Sequence, residues 1–165
     1  MNKLACALFA IASLGIASAQ KVAVINSQKA VLETDEIKKA QVVLETKFKP
    51  RQDKILQLQK DLQTIQAQLQ SGKLNATGEQ ELNAEGQKKQ RDLQRTQQDL
   101  QDDVNAERND ILQRSGTRMQ EVVKKLAEEK GLDIVVDTAS TVYYKAAFDL
   151  STEAVAAYNK TYPVK

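Results

Sequence analysis

The chain has 165 residues, 24 Lys+Arg against 22 Asp+Glu, no His, one Cys and no Trp. It therefore lacks an imidazole base, a Ser-His-Asp triad, a thiolate or imidazole metal site and an internal disulfide, so no metal or other cofactor is expected. A net charge of +2 does not favour nucleic-acid binding by bulk charge, and 4% aromatic residues are few for a compact core.

Residues 1–19 read as a secretory signal peptide, cleaved before Gln20. Lys3 supplies the positive start, Leu4 to Ile16 the apolar run, and Ala17-Ser18-Ala19 the small-residue cleavage pattern. The run is shorter than the roughly 20 apolar residues a spanning helix needs, so no stable membrane anchor is expected. The only Cys, Cys6, leaves with this segment, and the mature chain suits an oxidising compartment without disulfide chemistry.

Val22 to Ile25 is a β-branched run that predicts a strand, with Ser27 as the cap of a following helix. Between Asp35 and Gln70 there is no Gly. Leu44, Phe48, Ile55, Leu58, Leu62, Ile65 and Leu69 fit one a/d register, with Arg51 in the polar slot. A narrow stripe sustained this long points to a coiled-coil-like helix rather than a helix lying on a globular core. Pro50 predicts a kink or hinge, because it has no N–H and crowds the preceding turn. The stretch 71–78, with two Gly and an Asn, predicts a turn, and Thr77 with Gln80 has capping-box spacing for a helix starting near Gly78.

The second helix is expected to reach Lys130, with Leu82, Leu93, Leu100, Val104 and Ile111 as its stripe and Gly131 as its terminator. About 50 helical residues span about 75–80 Å, longer than any compact domain this chain could form. The two helices are therefore expected to make an antiparallel hairpin standing out from a body. After Gly131 the period changes. Leu132 to Asp137 predicts a strand, Thr141 to Ala146 a second one paired with it as a hairpin, and Ser151 the cap of a last helix ending before Pro163.

The predicted class is mainly α with a small β body. Residues 20–49 and 116–165 form that body and oligomerisation domain, and 50–115 the hairpin with its tip near 71–78. Three short strands make a poor core alone, and self-association is the simplest way to complete it. Val22, Val24, Ile134, Val136, Val142 and Tyr144 are the candidates for that contact, with burial inside one subunit as the alternative. No catalytic constellation is visible, so an enzyme is not expected. Asp102 and Asp103, and Glu128 and Glu129, are helix neighbours that diverge by about 100°, and no Gly-rich phosphate loop follows a strand.

This layout resembles the Skp/OmpH family of periplasmic chaperones. The resemblance is carried by Lys21-Val22-Ala23-Val24-Ile25-Asn26, Phe48-Lys49-Pro50-Arg51, Gly131-Leu132-Asp133-Ile134-Val135-Val136-Asp137 and Asp149-Leu150-Ser151-Thr152-Glu153, in order along the whole mature chain. It implies a homotrimer whose body is a β-barrel built from all three subunits. Helical tentacles would enclose a cavity that holds unfolded outer-membrane proteins without ATP. The sequence departs from strongly basic family members: residues 51–115 hold ten Lys+Arg and eleven Asp+Glu, a net of −1. Attraction to acidic clients or anionic lipid is therefore expected to be weaker, and lipopolysaccharide binding is not supported. On the hairpin, Leu56, Leu74, Lys73, Lys88, Lys89, Arg91 and Arg95 are candidate client-facing residues, or else ordinary solvated positions. A structural or adaptor role, docking a folded envelope partner, is the competing expectation.

Overall fold

The computed structural model describes residues 20–164, so the signal-peptide expectation for 1–19 lies outside the described residues. In chain order the elements are β1 (Val22–Ile25), α1 (Ser27–Leu32), α2 (Asp35–Gln70), α3 (Ala76–Lys130), β2 (Ile134–Asp137) and α4 (Ser151–Thr161). Short 3-10 turns occupy Thr138–Ser140 and Ala146–Phe148.

The helix boundaries follow from side chains that compete for the first free N–H groups. Asn26, not Ser27, caps α1: its Oδ1 accepts from Lys29 N at 2.9 Å. Thr34 ends that short helix and opens α2, accepting from Ile37 N at 3.3 Å while its own hydroxyl donates to Val31 O. Asp35 and Glu36 then sit in the first turn of α2, where the helix dipole favours negative charge. At the tip, Gly72 takes φ +65°. Asn75 caps α3 through Gly78 N at 2.8 Å, so the helix starts at Ala76 and the Thr77–Gln80 capping box is not used. At the far end Gly131 N donates to Glu128 O and Leu132 N to Ala127 O. These two bonds form a Schellman closure, for which Gly131 supplies φ +60°.

α2 runs unbroken through Pro50. The proline costs the helix one N–H, the one that would donate to the Thr46 carbonyl, and leaves the helix continuous.

α2 and α3 lie antiparallel. Lys47 reaches Glu107, Arg51 reaches Asp103, Lys89 Nζ is 2.7 Å from Asp61 Oδ2, and Ile65 packs on Gly86. Each advance toward the tip on α2 is matched by a retreat on α3. Phe48, Leu58, Ile65 and Leu93 are buried in the seam, and Leu44, Ile55, Leu62, Leu69, Leu82, Leu100 and Val104 are half-buried. The heptad stripe thus marks the seam at every position the sequence nominated.

The strands form a parallel pair with Val22 opposite Ile134 and Ile25 opposite Asp137. A parallel pair needs a long crossover, and here α1, α2 and α3 together supply it. The expected strand at 141–146 does not form within the chain. Asp137 Oδ1 accepts from Ala139 N at 2.8 Å, which turns the chain into a 3-10 bend instead of a two-residue hairpin. The segment 141–145 follows without a strand partner among the described residues. The chain then returns to the free edge of β1 by a single bridge, Val24 with Asp149, and Leu150 N donates to Val24 O at 2.9 Å. α4 starts at Ser151, and Ser151 does not cap it. Its hydroxyl accepts from Asn26 N at 2.8 Å, which ties the last helix to the end of β1.

The body core gathers Ile25, Ala30, Val31 and Ile37 from the N-terminal elements, Met119 and Val122 from α3, and Ala154 and Tyr158 from α4. None of the helices among the described residues is long and apolar enough to cross a membrane.

Candidate functional site

Two surfaces and one polar cluster stand out. The first surface is on the body. Val22, Val24, Val136 and Tyr144 line one groove of about 340 Å³, together with Thr141, Tyr143, Lys145 and Phe148. Parallel register places Val22 beside Ile134 and Val24 beside Val136, so all four start from one face of the two-strand sheet. Ile134 is 51% exposed and lines a different groove, beside Leu132 and Val135, and Val142 projects fully into solvent. The structure therefore brings four of the six candidate body residues to this groove and leaves two outside it. Tyr143 and Phe148 were not nominated. Strand alternation through 141–146 selects Val142 and Tyr144 rather than Tyr143, and that strand does not form within the chain; Phe148 carries the signal of being one of only three Phe.

The second surface is the hairpin. Leu56 and Leu74 are exposed, at 62% and 40%, and Lys73, Lys88, Arg91 and Arg95 are exposed beside them in sequence. Lys88, Arg91 and Arg95, spaced by three and four, share one face of α3, while Leu56 lies on α2 and Lys73 and Leu74 at the tip. Arg95 also spends part of its charge on Asp99, 3.6 Å away. Lys89 is different. It is half-buried and pairs across the seam with Asp61 at 2.7 Å and along α3 with Glu85 at 3.6 Å. The Asp61 bond pushes the Lys89 ammonium above its ordinary value. The same bond, with the Gln57 amide, holds the Asp61 carboxyl below its own. Lys89 is a staple between arms, so its charge is already engaged.

The cluster sits where the hairpin joins the body, and no sequence motif announced it. Glu36, in the first turn of α2, accepts from Arg118 Nη1 at 2.9 Å on each oxygen, from Arg114 Nε at 3.4 Å, and from the Tyr158 hydroxyl. Arg118 also lies over the Tyr162 ring, 4.8 Å from its centre, and Tyr162 donates to Glu121 at 2.8 Å. Partial burial pushes the Glu36 carboxyl up, but the bonds from Tyr158 and Arg118 outweigh it and hold the group below its ordinary value. Burial and the Glu36 bond push the Tyr158 phenol up. α2, α3 and α4 are thus pinned together by one carboxylate. Acidic-first-turn and Arg-on-α3 patterns are present in the sequence, but only the fold brings residues 36, 118 and 158 into one place.

None of this is reaction chemistry. In the Glu36 cluster the polar groups are paired with one another, and the body groove is mostly apolar. The fold is mainly helical, with two long antiparallel helices joined to a small two-strand sheet. The family model described as "Outer membrane protein (OmpH-like)" matches residues 21–158, which spans nearly all of the described chain. The Skp-like protein of Pseudomonas aeruginosa is 27% identical over 142 residues, covering 85% of this chain and 84% of that protein. Chaperone protein Skp of Salmonella typhimurium is 30% identical over 145 residues, covering 82% and 87%. Chaperone protein Skp of Photorhabdus luminescens is 31% identical over 153 residues, covering 87% and 90%. The OmpH-like protein from Caulobacter crescentus has the same fold, with a TM-score of 0.75 at 18% identity over 88% of each chain. This chain belongs to the Skp/OmpH family. It is a family of chaperones, not enzymes.

Proposed function

We propose that this protein is an ATP-independent holding chaperone of the periplasm. In this reading it works as a homotrimer and shelters unfolded outer-membrane proteins between its hairpins. One observation carries the reading: the body is incomplete in a single chain. Among the described residues segment 141–145 has no strand partner, Val142 is wholly exposed, and an apolar groove of about 340 Å³ opens beside it. Further copies would give these backbone groups partners and cover the groove. Export to the periplasm rests on the signal-peptide pattern of residues 1–19. The family supports the chaperone role.

Holding without ATP asks for many weak contacts at high local concentration and no single tight site. Solvated arms with scattered apolar residues such as Leu56 and Leu74 suit that requirement. The near-neutral hairpin favours a second reading, an adaptor that docks one folded envelope partner. Light scattering coupled to size exclusion separates the two. The mature protein is run alone and after dilution of a urea-unfolded outer-membrane β-barrel into it. A trimer mass that rises by one client mass, without aggregate, is the expected result. A trimer that leaves the client to aggregate supports the adaptor. Excising matched heptads from both arms (residues 55–68 and 83–96) should keep the trimer and abolish protection. Equal protection by the shortened protein would refute the cavity mechanism.

A further inference from the structure

At the hairpin root the seam opens. A groove of about 280 Å³ lies between α2 and α3, lined by Ile37, Ala40, Leu44, Ile111 and Leu112, with Leu32 from α1 at its edge. Its cause is legible in the heptad. One turn before Leu44 the seam position falls on Gln41, and its neighbour Ala40 is too small to fill the space. Leu32 is 40% exposed there, a large aliphatic side chain left partly in water.

Gln41 and Arg108 complete the lining. Four of the six arginines, Arg51, Arg95, Arg114 and Arg118, have a carboxylate partner. Arg108 has none within 4.0 Å among the described residues. The groove therefore pairs an apolar floor with an uncommitted planar cation, whose forked donors match a carboxylate. Its volume suits one large side chain and a stretch of backbone, not a folded domain.

We infer that this groove is a docking site for a client segment in which a large apolar side chain is followed by a carboxylate. The apolar side chain fills the space left by Ala40, and the carboxylate meets Arg108. This inference rests on the holding-chaperone reading and deepens it, because it names one local sequence type that the chaperone prefers. It also gives the hairpin root a selective role that its near-neutral arms do not have.

The test uses two blocked pentapeptides that differ at one position, a phenylalanine–aspartate pair against a phenylalanine–asparagine pair. Each is titrated into the intact mature protein labelled at Ile and Leu methyls. The aspartate peptide should shift the methyls of Ile111 and Leu112. The asparagine peptide should bind about three- to fivefold more weakly, the size of one partly exposed charge-assisted contact. Arg108→Gln should erase the difference between the peptides. Ala40→Leu, which fills the groove with a good helix former, should weaken both about tenfold or more. Equal binding of the two peptides to the parent protein overturns the inference. So does unaltered binding to Ala40→Leu, or the absence of any shift. If Ala40→Leu instead lowers the oligomer mass in light scattering, a second copy fills the groove and the inference also fails. Aggregation suppression of a full-length unfolded client, measured in parallel, reports on the holding-chaperone reading separately.

Discussion

Replacing Glu36 by Gln removes one negative charge and almost no volume. Its side chain is 13% exposed and accepts from two arginines and a tyrosine drawn from two other helices. Hydrogen bonds to a charged group contribute about 1.5–3 kcal/mol each in favourable cases, and they do not add when they share one acceptor. Arg118 is 35% exposed, so water recovers part of the loss on that side. The amide also keeps one acceptor for Tyr158. We expect a net cost of about 1.5–3 kcal/mol. Equilibrium urea unfolding at fixed protein concentration reads this, followed by near-ultraviolet circular dichroism. The chain has no Trp and only four Tyr. Tyr158 and Tyr162 lie 5.1 Å apart in this cluster, so the signal reports on the region itself. Arg118→Gln alone and combined with Glu36→Gln completes a double-mutant cycle, for which a coupling of about 1–2 kcal/mol is expected. A Glu36→Gln variant within about 0.5 kcal/mol of the parent would refute the idea that this carboxylate pins α4 to the hairpin.

Four other outcomes follow from the same structure. Because the folded Glu36 carboxyl titrates below its ordinary value, its contribution is complete above the unfolded value, about pH 4.3, and is lost as pH falls through the folded one. The parent should therefore lose stability more steeply than Glu36→Gln below about pH 4. Residual acid sensitivity in the variant belongs to Asp61, Asp137 and Asp149, whose carboxyls are held low by bonds from Lys89, Ser27 and Ser151; identical acid profiles would contradict this. If the proposed trimer assembles through segment 141–145, Val142→Asp should lower the oligomer mass in light scattering while leaving far-ultraviolet dichroism of the helices intact, and an unchanged mass would count against that assembly. Gly116→Ala should raise stability by about 0.8–1 kcal/mol, since the position is helical and an added Cβ meets nothing within 4 Å; a destabilised variant would show that the backbone there needs glycine. Ile65→Ala, which removes a 6% exposed seam residue, should cost about 2–4 kcal/mol locally and raise amide exchange in the outer arms without dissociating the body.

Local chemistry made the helical part of this fold legible, and long-range geometry hid the rest. A seven-residue stripe needs only its own periodicity, so Leu44 through Leu69 could be placed on one face from sequence. Glycine at 131 announced its helix end for the same reason: only a left-handed residue closes a Schellman turn cheaply. The helix starts went wrong by one or two residues, because Asn26 and Asn75 outcompete the neighbouring Ser27 and Thr77 as caps. The strand at 141–146 failed for a different reason. Its residues have strand propensity, but propensity does not provide a partner, and Asp137 bends the chain away from β2 before pairing can start. The body groove was half legible, since alternation identified Val22, Val24 and Val136 but not Tyr143 or Phe148. The Glu36 cluster was not legible at all, because the groups that bond Glu36 lie 78 to 122 positions from it in the chain.

The same contrast bears on how the hairpin holds together. Its seam carries large apolar residues at intervals, but its central stretch is bridged by Lys47 with Glu107, Arg51 with Asp103 and Lys89 with Asp61. Exposed pairs of this kind contribute little stability each, yet they specify register, because sliding one arm by a turn would break all three together. Lys89 and Asp61 are the most shielded of the three. An arm built this way keeps its alignment while leaving its outer face polar, which suits the proposed holding role, in which bound chains must leave again. High salt should therefore loosen the arms before it affects the apolar body. Amide exchange measured in low and high salt would show protection falling first between residues 51 and 103. Uniform loss along the whole chain would mean that the ion pairs do not set the register.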